Sequence, residues 1–201
     1  MAIKYNTSIV RSGLVLQLDA ANPKSYSGSG TTWYDLSGFG NHFTINNTAG
    51  FTYNAAGYFD MTNSFIYKNS AITTNPTCTC VFWIKTTDQQ SLFWSLYNNT
   101  SLFLGAYRVG NKFYNGGYGT PTYHQDTVQQ ANIYDYLIDG KWHMVEFKSV
   151  NLSAITSFAF SQYNTFIFET GSVSAIKIYN RNLTVDESKQ NFEALRGRYS
   201  I

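Results

Sequence analysis

Residues 78–85 read Cys78-Thr-Cys-Val-Phe-Trp-Ile-Lys85, a run of β-branched and aromatic residues that carries the signature of a strand. Cys78 and Cys80 are the only cysteines of the chain. Two residues apart on a strand, they point to one face at roughly 6.5 to 7 Å along the chain, near the limit for a disulfide and poorly aimed for one. They read as small buried hydrophobes. No further cysteine and only His42, His124 and His143 could complete a metal site with them.

Working outward, the same signal recurs. Gly13-Leu-Val-Leu-Gln-Leu-Asp19 is expected to be a buried strand with Leu14, Leu16 and Leu18 on one face and Val15 and Gln17 on the other. Asn22 to Gly30 is a loop of turn formers. Further strands are expected around Phe51–Asp60, Ser64–Tyr67, Ser91–Tyr97, Leu102–Val109, Asn132–Ile138, Trp142–Lys148, Ile155–Phe160, Thr165–Glu169 and Ser172–Tyr179. About ten short strands without intervening helical periods make an all-β sandwich or barrel. One helix is expected at about 184–196. Thr184 and Glu187 form a capping box, while Val185, Ser188, Phe192 and Leu195 lie on one inward stripe and Gly197 stops the helix. Residues 1–12 are read as an N-terminal arm and 13–201 as one domain.

The 201 residues suit a single core. Charged residues are 13% and the net charge is +2, so there is no basic stripe for phosphate backbones and nucleic acid is not an expected partner. Aromatics reach 17% against 3 Pro, a composition too rich in core formers for disorder. The start, Met1-Ala-Ile-Lys-Tyr-Asn-Thr7, offers no apolar run of a signal peptide. No stretch approaches the roughly 18 apolar residues of a spanning helix, so membrane insertion is not expected.

Gly13-Leu-Val-Leu-Gln-Leu-Asp-Ala-Ala-Asn-Pro-Lys-Ser-Tyr26 and Thr31-Thr-Trp-Tyr-Asp-Leu-Ser-Gly-Phe-Gly-Asn-His42 resemble the concanavalin A-like, laminin G-like jelly-roll domains found in bacteriophage and marine-virus structural proteins. Asp139-Gly-Lys-Trp-His-Met-Val145 is similar to the family's D-G-x-W-H-x-V strand start, and Val173 to Glu187 to its closing strand and helix. With Phe82-Trp-Ile-Lys85, these motifs span residues 13 to 187. The resemblance implies a two-sheet antiparallel jelly-roll sandwich with one short C-terminal helix. Trp83 and Trp142 would be packing anchors, and Asp35, Ser37, Gly38, Gly40 and Asn41 would build a side-chain-bonded turn. Where relatives carry a Y-V-N-G hairpin, this chain runs Ser149-Val-Asn-Leu-Ser-Ala-Ile-Thr156, which leaves the face built there open.

Catalytic patterns are missing from the sequence. Glucanases on this superfold carry an E-x-D-x-x-E strand that sends its carboxylates into one cleft. Here no Asp lies two residues after any of the four Glu, Glu146, Glu169, Glu187 and Glu193. Glu146 and Glu169 read as salt-bridged or solvent-facing strand residues. There is no G-x-S-x-G elbow, no H-E-x-x-H and no EF-hand loop. His42 and His143 sit inside fold motifs and read as structural. Asp35, Asp60 and Asp139 are conceivable calcium ligands but read as turn formers. No catalytic residue, metal or cofactor is expected.

Gly110-Asn-Lys-Phe-Tyr-Asn-Gly-Gly-Tyr-Gly-Thr-Pro-Thr-Tyr-His124 is the stretch most suggestive of binding. Its glycines permit tight turns, so Tyr114, Tyr118 and Tyr123, joined by His124, would be displayed as rigid platforms for a glycan or a protein. Packing of the same rings on the sandwich is the competing reading. The resemblance implies a non-enzymatic phage virion structural protein made in the host cytoplasm and displayed on the virion surface. The absence of heptads favours a capsid decoration over a long tail fibre. Its expected partners are other virion proteins of capsid or tail, further copies of itself and a host-surface glycan. The alternative is a free carbohydrate-binding lectin module.

Overall fold

The computed structural model describes residues 8–46, 50–62, 64–87, 95–97, 104–106, 113–115, 122–130, 139–160, 162–163, 166–167 and 171–201. In chain order the strands are β1 (Leu14–Asp19), β2 (Thr32–Trp33), β3 (Phe43–Asn46), β4 (Phe51–Asn54), β5 (Tyr58–Met61), β6 (Phe65–Lys68), β7 (Cys78–Lys85), β8 (Ser95–Tyr97), β9 (Leu104–Ala106), β10 (Phe113–Asn115), β11 (Thr122–Gln125), β12 (Val128–Gln130), β13 (Trp142–Val150), β14 (Ser157–Phe160), β15 (Gln162–Tyr163), β16 (Phe166–Ile167) and β17 (Gly171–Tyr179). Helix α1 (Val185–Leu195) and a 3-10 turn over Arg196–Arg198 follow.

Two antiparallel sheets form the expected sandwich. The larger runs β12-β11-β13-β7-β17-β5-β4 with β1 also on β17, and the smaller runs β2-β3-β6-β14-β8. One edge of β17 seats two neighbours end to end, β5 along Gly171–Val173 and β1 along Ala175–Tyr179, while β7 pairs along the other edge. The core between the sheets holds Leu16, Leu18, Phe82, Ile84, Phe147, Ile176 and Ile178. Phe59 is fully buried there, with ring centroids 4.7 Å from Tyr26, 4.9 Å from Trp33 and 4.4 Å from Phe51. Cys78 and Cys80 are free, buried and on this face, as their spacing predicts. Thr79 between them faces outward, where its Oγ1 donates to the Arg181 carbonyl (3.0 Å) and accepts from Leu183 N (3.0 Å).

Several expectations change in detail. The strand expected over Phe51–Asp60 is the hairpin β4–β5, turned at Gly57, whose φ is +87° and whose place a Cβ would fill within 2.3 Å of Ala21. β2, β3, β10, β11, β12 and β15 are strands beyond those expected, each of two to four residues that antiparallel pairing holds extended. The strand expected near Asn132–Ile138 lies outside the described residues. The segment in place of the Y-V-N-G hairpin buries Leu152 and Ile155 in the inner core.

Leu14 does not share a face with Leu16 and Leu18. The register of β1 shifts between Leu14 and Leu16, a bulge that sends Leu14 to the outer cluster and Val15 to the inner one. The turn expected at Asp35–Asn41 is built against this bulge. Asp35 Oδ1 accepts from Gln17 N (2.8 Å) and Ser37 N (2.9 Å), and Oδ2 accepts from Ser37 Oγ (2.6 Å) and Asn41 N (2.9 Å). The Val15 carbonyl accepts from Ser37 Oγ (3.1 Å) and Asn41 Nδ2 (2.8 Å). Gly38 and Gly40 supply the positive φ values, +96° and +71°, that let the loop turn back. His42 is structural as expected, its Nδ1 accepting from Asp35 N at 3.0 Å.

A second apolar cluster covers the outer face of the larger sheet. Ile9, Val10, Leu14, Val81, Trp83, Met144, Ala175, Tyr179 and Leu183 pack there under Phe192, Leu195 and Tyr199. The described part of the N-terminal arm is therefore docked, with Val10 N donating to Asn191 Oδ1 (3.0 Å) and the Val10 carbonyl accepting from Tyr179 Oη (3.1 Å). The capping box forms as its spacing predicts, and Arg181 grips Glu187 through both nitrogens (2.8 and 2.6 Å). The inward stripe of α1 is corrected: Val185 is 70% exposed, whereas Ser188 and Asn191 are buried. Polar docking sets this phase, since Ser188 Oγ donates to Glu146 Oε1 (2.8 Å) and Tyr179 Oη to Asn191 Oδ1 (3.2 Å). Gly197 lies inside the 3-10 turn, and α1 ends before it at Leu195. Among the described residues no helix is long and apolar enough to cross a membrane.

Lys177 on β17 is 1% exposed, and its Nζ has no hydrogen-bond partner. Burial pushes its pKa down from 10.5 to about 8, partly offset by Asp19, which Arg198 holds at 2.7 Å.

Two variants test these contacts. Asp35→Ala strands the buried N–H groups of Gln17 and Asn41 and is expected to destabilise the protein by about 2 to 4 kcal/mol in chemical unfolding; an unchanged midpoint would show that β1 holds its bulge alone. Lys177→Met is expected to raise Tm at neutral pH. Because the folded pKa of Lys177 lies below the unfolded one, the unfolded state takes up the proton first. The wild type should therefore gain stability between pH 8 and 10.5, a gain the Met variant should lack.

Candidate functional site: a groove at the end of the larger sheet

On the outer face, aromatic rings from four elements form a continuous row. Trp83 of β7 stacks on Phe192 of α1 (5.8 Å) and on Tyr199 (4.4 Å). Tyr199 meets Trp142 of β13 at 4.8 Å, and Trp142 meets Tyr58 of β5 edge-on at 5.3 Å. Trp83 is fully buried, confirming it as an anchor, while Trp142 and Tyr58 are half-buried. Alternation along β7 puts Lys85 on the same face as Trp83. The Lys85 Nζ lies 5.0 Å from the Tyr58 centroid and 5.4 Å from that of Trp142, over both rings.

Beside this pair opens a groove of about 430 Å³ lined by Asp60, Met61, Thr62, Lys85, Thr86, Thr87, Gly140, Gly171 and Ser172. Strand register creates it. Ser172 at the start of β17 sits on a rung between Asp60 of β5 and Lys85 of β7. Ser172 Oγ donates to Asp60 Oδ1 at 2.6 Å. The turn before β13 forms the remaining wall: Gly140, at φ +75°, donates its N–H to the Thr86 carbonyl (3.0 Å). The groove thus brings a carboxylate, an ammonium and threonine residues together beside two rings.

The 139–141 turn is held by His143. Its Nε2 lies 3.0 Å from Asp139 Oδ1, and its Nδ1 lies 2.7 Å from Asp126 Oδ2 and 3.0 Å from Gln125 Nε2. Asp126 also accepts from Met144 N at 2.8 Å. Burial opposes the imidazolium, but the two carboxylates outweigh it and raise the pKa of His143 above its ordinary 6.5. The D-G-x-W-H pattern is therefore a device in which Asp139 and His143 clamp a turn that carries Gly140 into the groove wall and runs into Trp142, whose ring lies under Lys85.

Of the expected binding residues, Tyr118 lies outside the described residues and Tyr114 is on β10, whose side chains are not described. Tyr123 is corrected. It is buried in the inner core against Phe147 (5.6 Å), with its hydroxyl donating to Gln125 Oε1 (3.0 Å). His124, one residue on, is half-buried with Nε2 3.2 Å from Thr122 Oγ1, and burial first and then Lys148 lower its pKa. Strand alternation puts Tyr123 and His124 on opposite faces of β11, so they cannot share one surface. The sequence reading missed Tyr58, Lys85 and Ser172; the alternation of Trp83 with Lys85 was their only signal.

The carboxylates are occupied or dispersed. Glu146 is buried under α1 with Ser188 and Lys148 (3.2 Å); burial raises its pKa while both partners oppose the rise. Glu187 caps α1, Glu193 pairs with Arg196 (2.9 Å), and Glu169 lies outside the described residues. Asp35, Asp60 and Asp139 are far apart in their roles, and among the described residues no group of three His, Cys, Asp or Glu could hold a metal ion.

No protein-family model matches the chain, and no curated protein matches it. Solved structures do. Trypanosoma rangeli sialidase in complex with the inhibitor DANA is 13% identical with a TM-score of 0.57, covering 92% of this chain and 33% of the sialidase. A mutant of that sialidase displaying trans-sialidase activity is 13% identical with a TM-score of 0.56, covering 96% and 34%. The binding domain of botulinum neurotoxin serotype D is 12% identical with a TM-score of 0.55, covering 92% and 52%. This chain spans about a third of the sialidases and about half of the toxin domain. The likeness is one of fold, a β-sandwich.

The clamp has a measurable pH signature. A raised folded pKa means that the stability His143 contributes is complete below about 6.5 and is lost as pH climbs through the folded value. The stability difference between wild type and His143→Gln should therefore shrink from pH 5.5 to 8.5; a difference independent of pH would mean that folding leaves the pKa of His143 unchanged, and one that grows with pH would mean that folding lowers it.

Proposed function

We propose that this chain is a non-enzymatic, lectin-like attachment protein carried on the surface of a bacteriophage particle, as a capsid decoration or tail-associated protein, and that it holds a saccharide in the groove. The observation that carries the binding reading is the half-buried Tyr58–Trp142 pair beside a groove that supplies Asp60, Lys85 and threonine hydroxyls. Such rings offer apolar faces to sugar C–H groups while side-chain donors and acceptors meet the hydroxyls. The virion setting is supported by the motifs at Gly13–Tyr26, Thr31–His42 and Asp139–Val145. It rests on fold-level resemblance. A non-catalytic role is supported by the engagement of Glu146, Glu187 and Glu193 in packing, capping and pairing.

The second reading, a free carbohydrate-binding module, draws on the same groove, and one experiment separates the two. Proteomics of purified particles from the source host is expected to find the chain in stoichiometric amount. Absence from every particle, with glycan retention intact, would leave the free module.

A further inference from the structure

Resting on the reading that the groove holds a saccharide, the charges in it define which class. Asp60 is exposed at the rim, and among the described residues it is engaged through Oδ1, which accepts from Ser172 Oγ at 2.6 Å. That hydroxyl spends its proton on Asp60, which leaves its oxygen as a further acceptor in the groove. Among the described residues of the lining the cation is Lys85, and its ammonium already lies on the negative faces of Tyr58 and Trp142, at 5.0 and 5.4 Å. Among the described residues no arginine lines the groove, so none of them presents the planar fork that grips a carboxylate or phosphate at two points. An anionic sugar would meet the Asp60 carboxylate at the mouth and find a donor whose charge is partly answered by rings. A neutral sugar meets no such repulsion. Its hydroxyls can donate to the outer Asp60 oxygen and accept from Lys85, groups that the row Asp60–Ser172–Lys85 sets across three adjacent strands, about 10 Å between the outer backbones.

We propose that the groove takes a neutral saccharide through neighbouring hydroxyls, with Asp60 as the acceptor that selects against acidic sugars and Lys85 as the donor, and that Tyr58 and Trp142 hold the ammonium in place as well as flanking the sugar. Lys85 and Asp60 are then the specificity-determining pair.

The test is binding of the full chain to paired neutral oligosaccharides and the same oligosaccharides ending in a uronic or sialic acid, on an array and then by calorimetry. Wild type is expected to retain neutral members at least tenfold better than their acidic partners. Asp60→Asn, which keeps the shape and can still accept from Ser172, is expected to weaken neutral binding at least tenfold and to narrow that preference, with Tm unchanged. Lys85→Met is expected to weaken binding of neutral members. Tighter binding of the acidic partners by wild type would overturn the proposal while leaving the groove as a saccharide site. Binding that neither variant alters would place the saccharide elsewhere on the sandwich and also overturn it. If no member is retained, the saccharide reading itself fails and the proposal falls with it.

Discussion

The structure depends on the antiparallel pairing of β7 with β17, because these two strands must satisfy a core on each of their faces. Inward, Cys80, Phe82, Ile84, Ile176 and Ile178 meet the smaller sheet; outward, Val81, Trp83, Ala175 and Tyr179 meet the N-terminal segment and α1. A sheet covered on both sides needs apolar residues at nearly every position, and Val81-Phe-Trp-Ile84 provides that run. Where the outward face is polar, the polar groups are paired across layers, as with Glu146 and Ser188 or Tyr179 and Asn191. Lys177 departs from this, an ammonium with no hydrogen-bond partner between Gln17 and Val81 on the flanking strands.

The groove is a consequence of where that double coverage ends. The segment from Arg196 to Tyr199 closes over Trp83 and Trp142 but not beyond, so the row of rings emerges half-buried at Tyr58 and Trp142. There β17 exchanges β1 for β5 as its edge neighbour, and Asp60, Ser172 and Lys85 line up in one row across three strands. The His143 clamp stabilises the same end of the sheet, because the Asp139 turn carries Gly140 into the groove wall and passes directly into Trp142. Backbone and clamp therefore pre-set the site, which limits the ordering that a ligand must pay for on binding.

Strand alternation was legible wherever a strand was long and two-faced. The positions of β7, β13 and β17, the inward cysteines, the capping box at Thr184 and the Asp35 turn all follow from local chemistry that acts within a few residues. What misled was phase. Leu14 leaves its leucine stripe because a bulge adds one residue, and a one-residue slip exchanges faces. Val185 leaves the helix stripe because hydrogen bonds from Ser188 and Asn191 rotate α1 toward a polar patch that hydrophobic periodicity does not register.

By itself the sequence determined an all-β sandwich closed by a capped terminal helix, since those features rest on alternation, turn chemistry and capping, each local in the chain. Only the tertiary structure decided which polar residues share a site. Tyr123 and His124 are neighbours in sequence yet lie on opposite faces of a strand. Asp60, Lys85 and Ser172 are separated by up to 112 residues yet share one row across three strands. Register between distant strands is set by the sum of many side-chain contacts on two faces, and no local pattern in the chain records it.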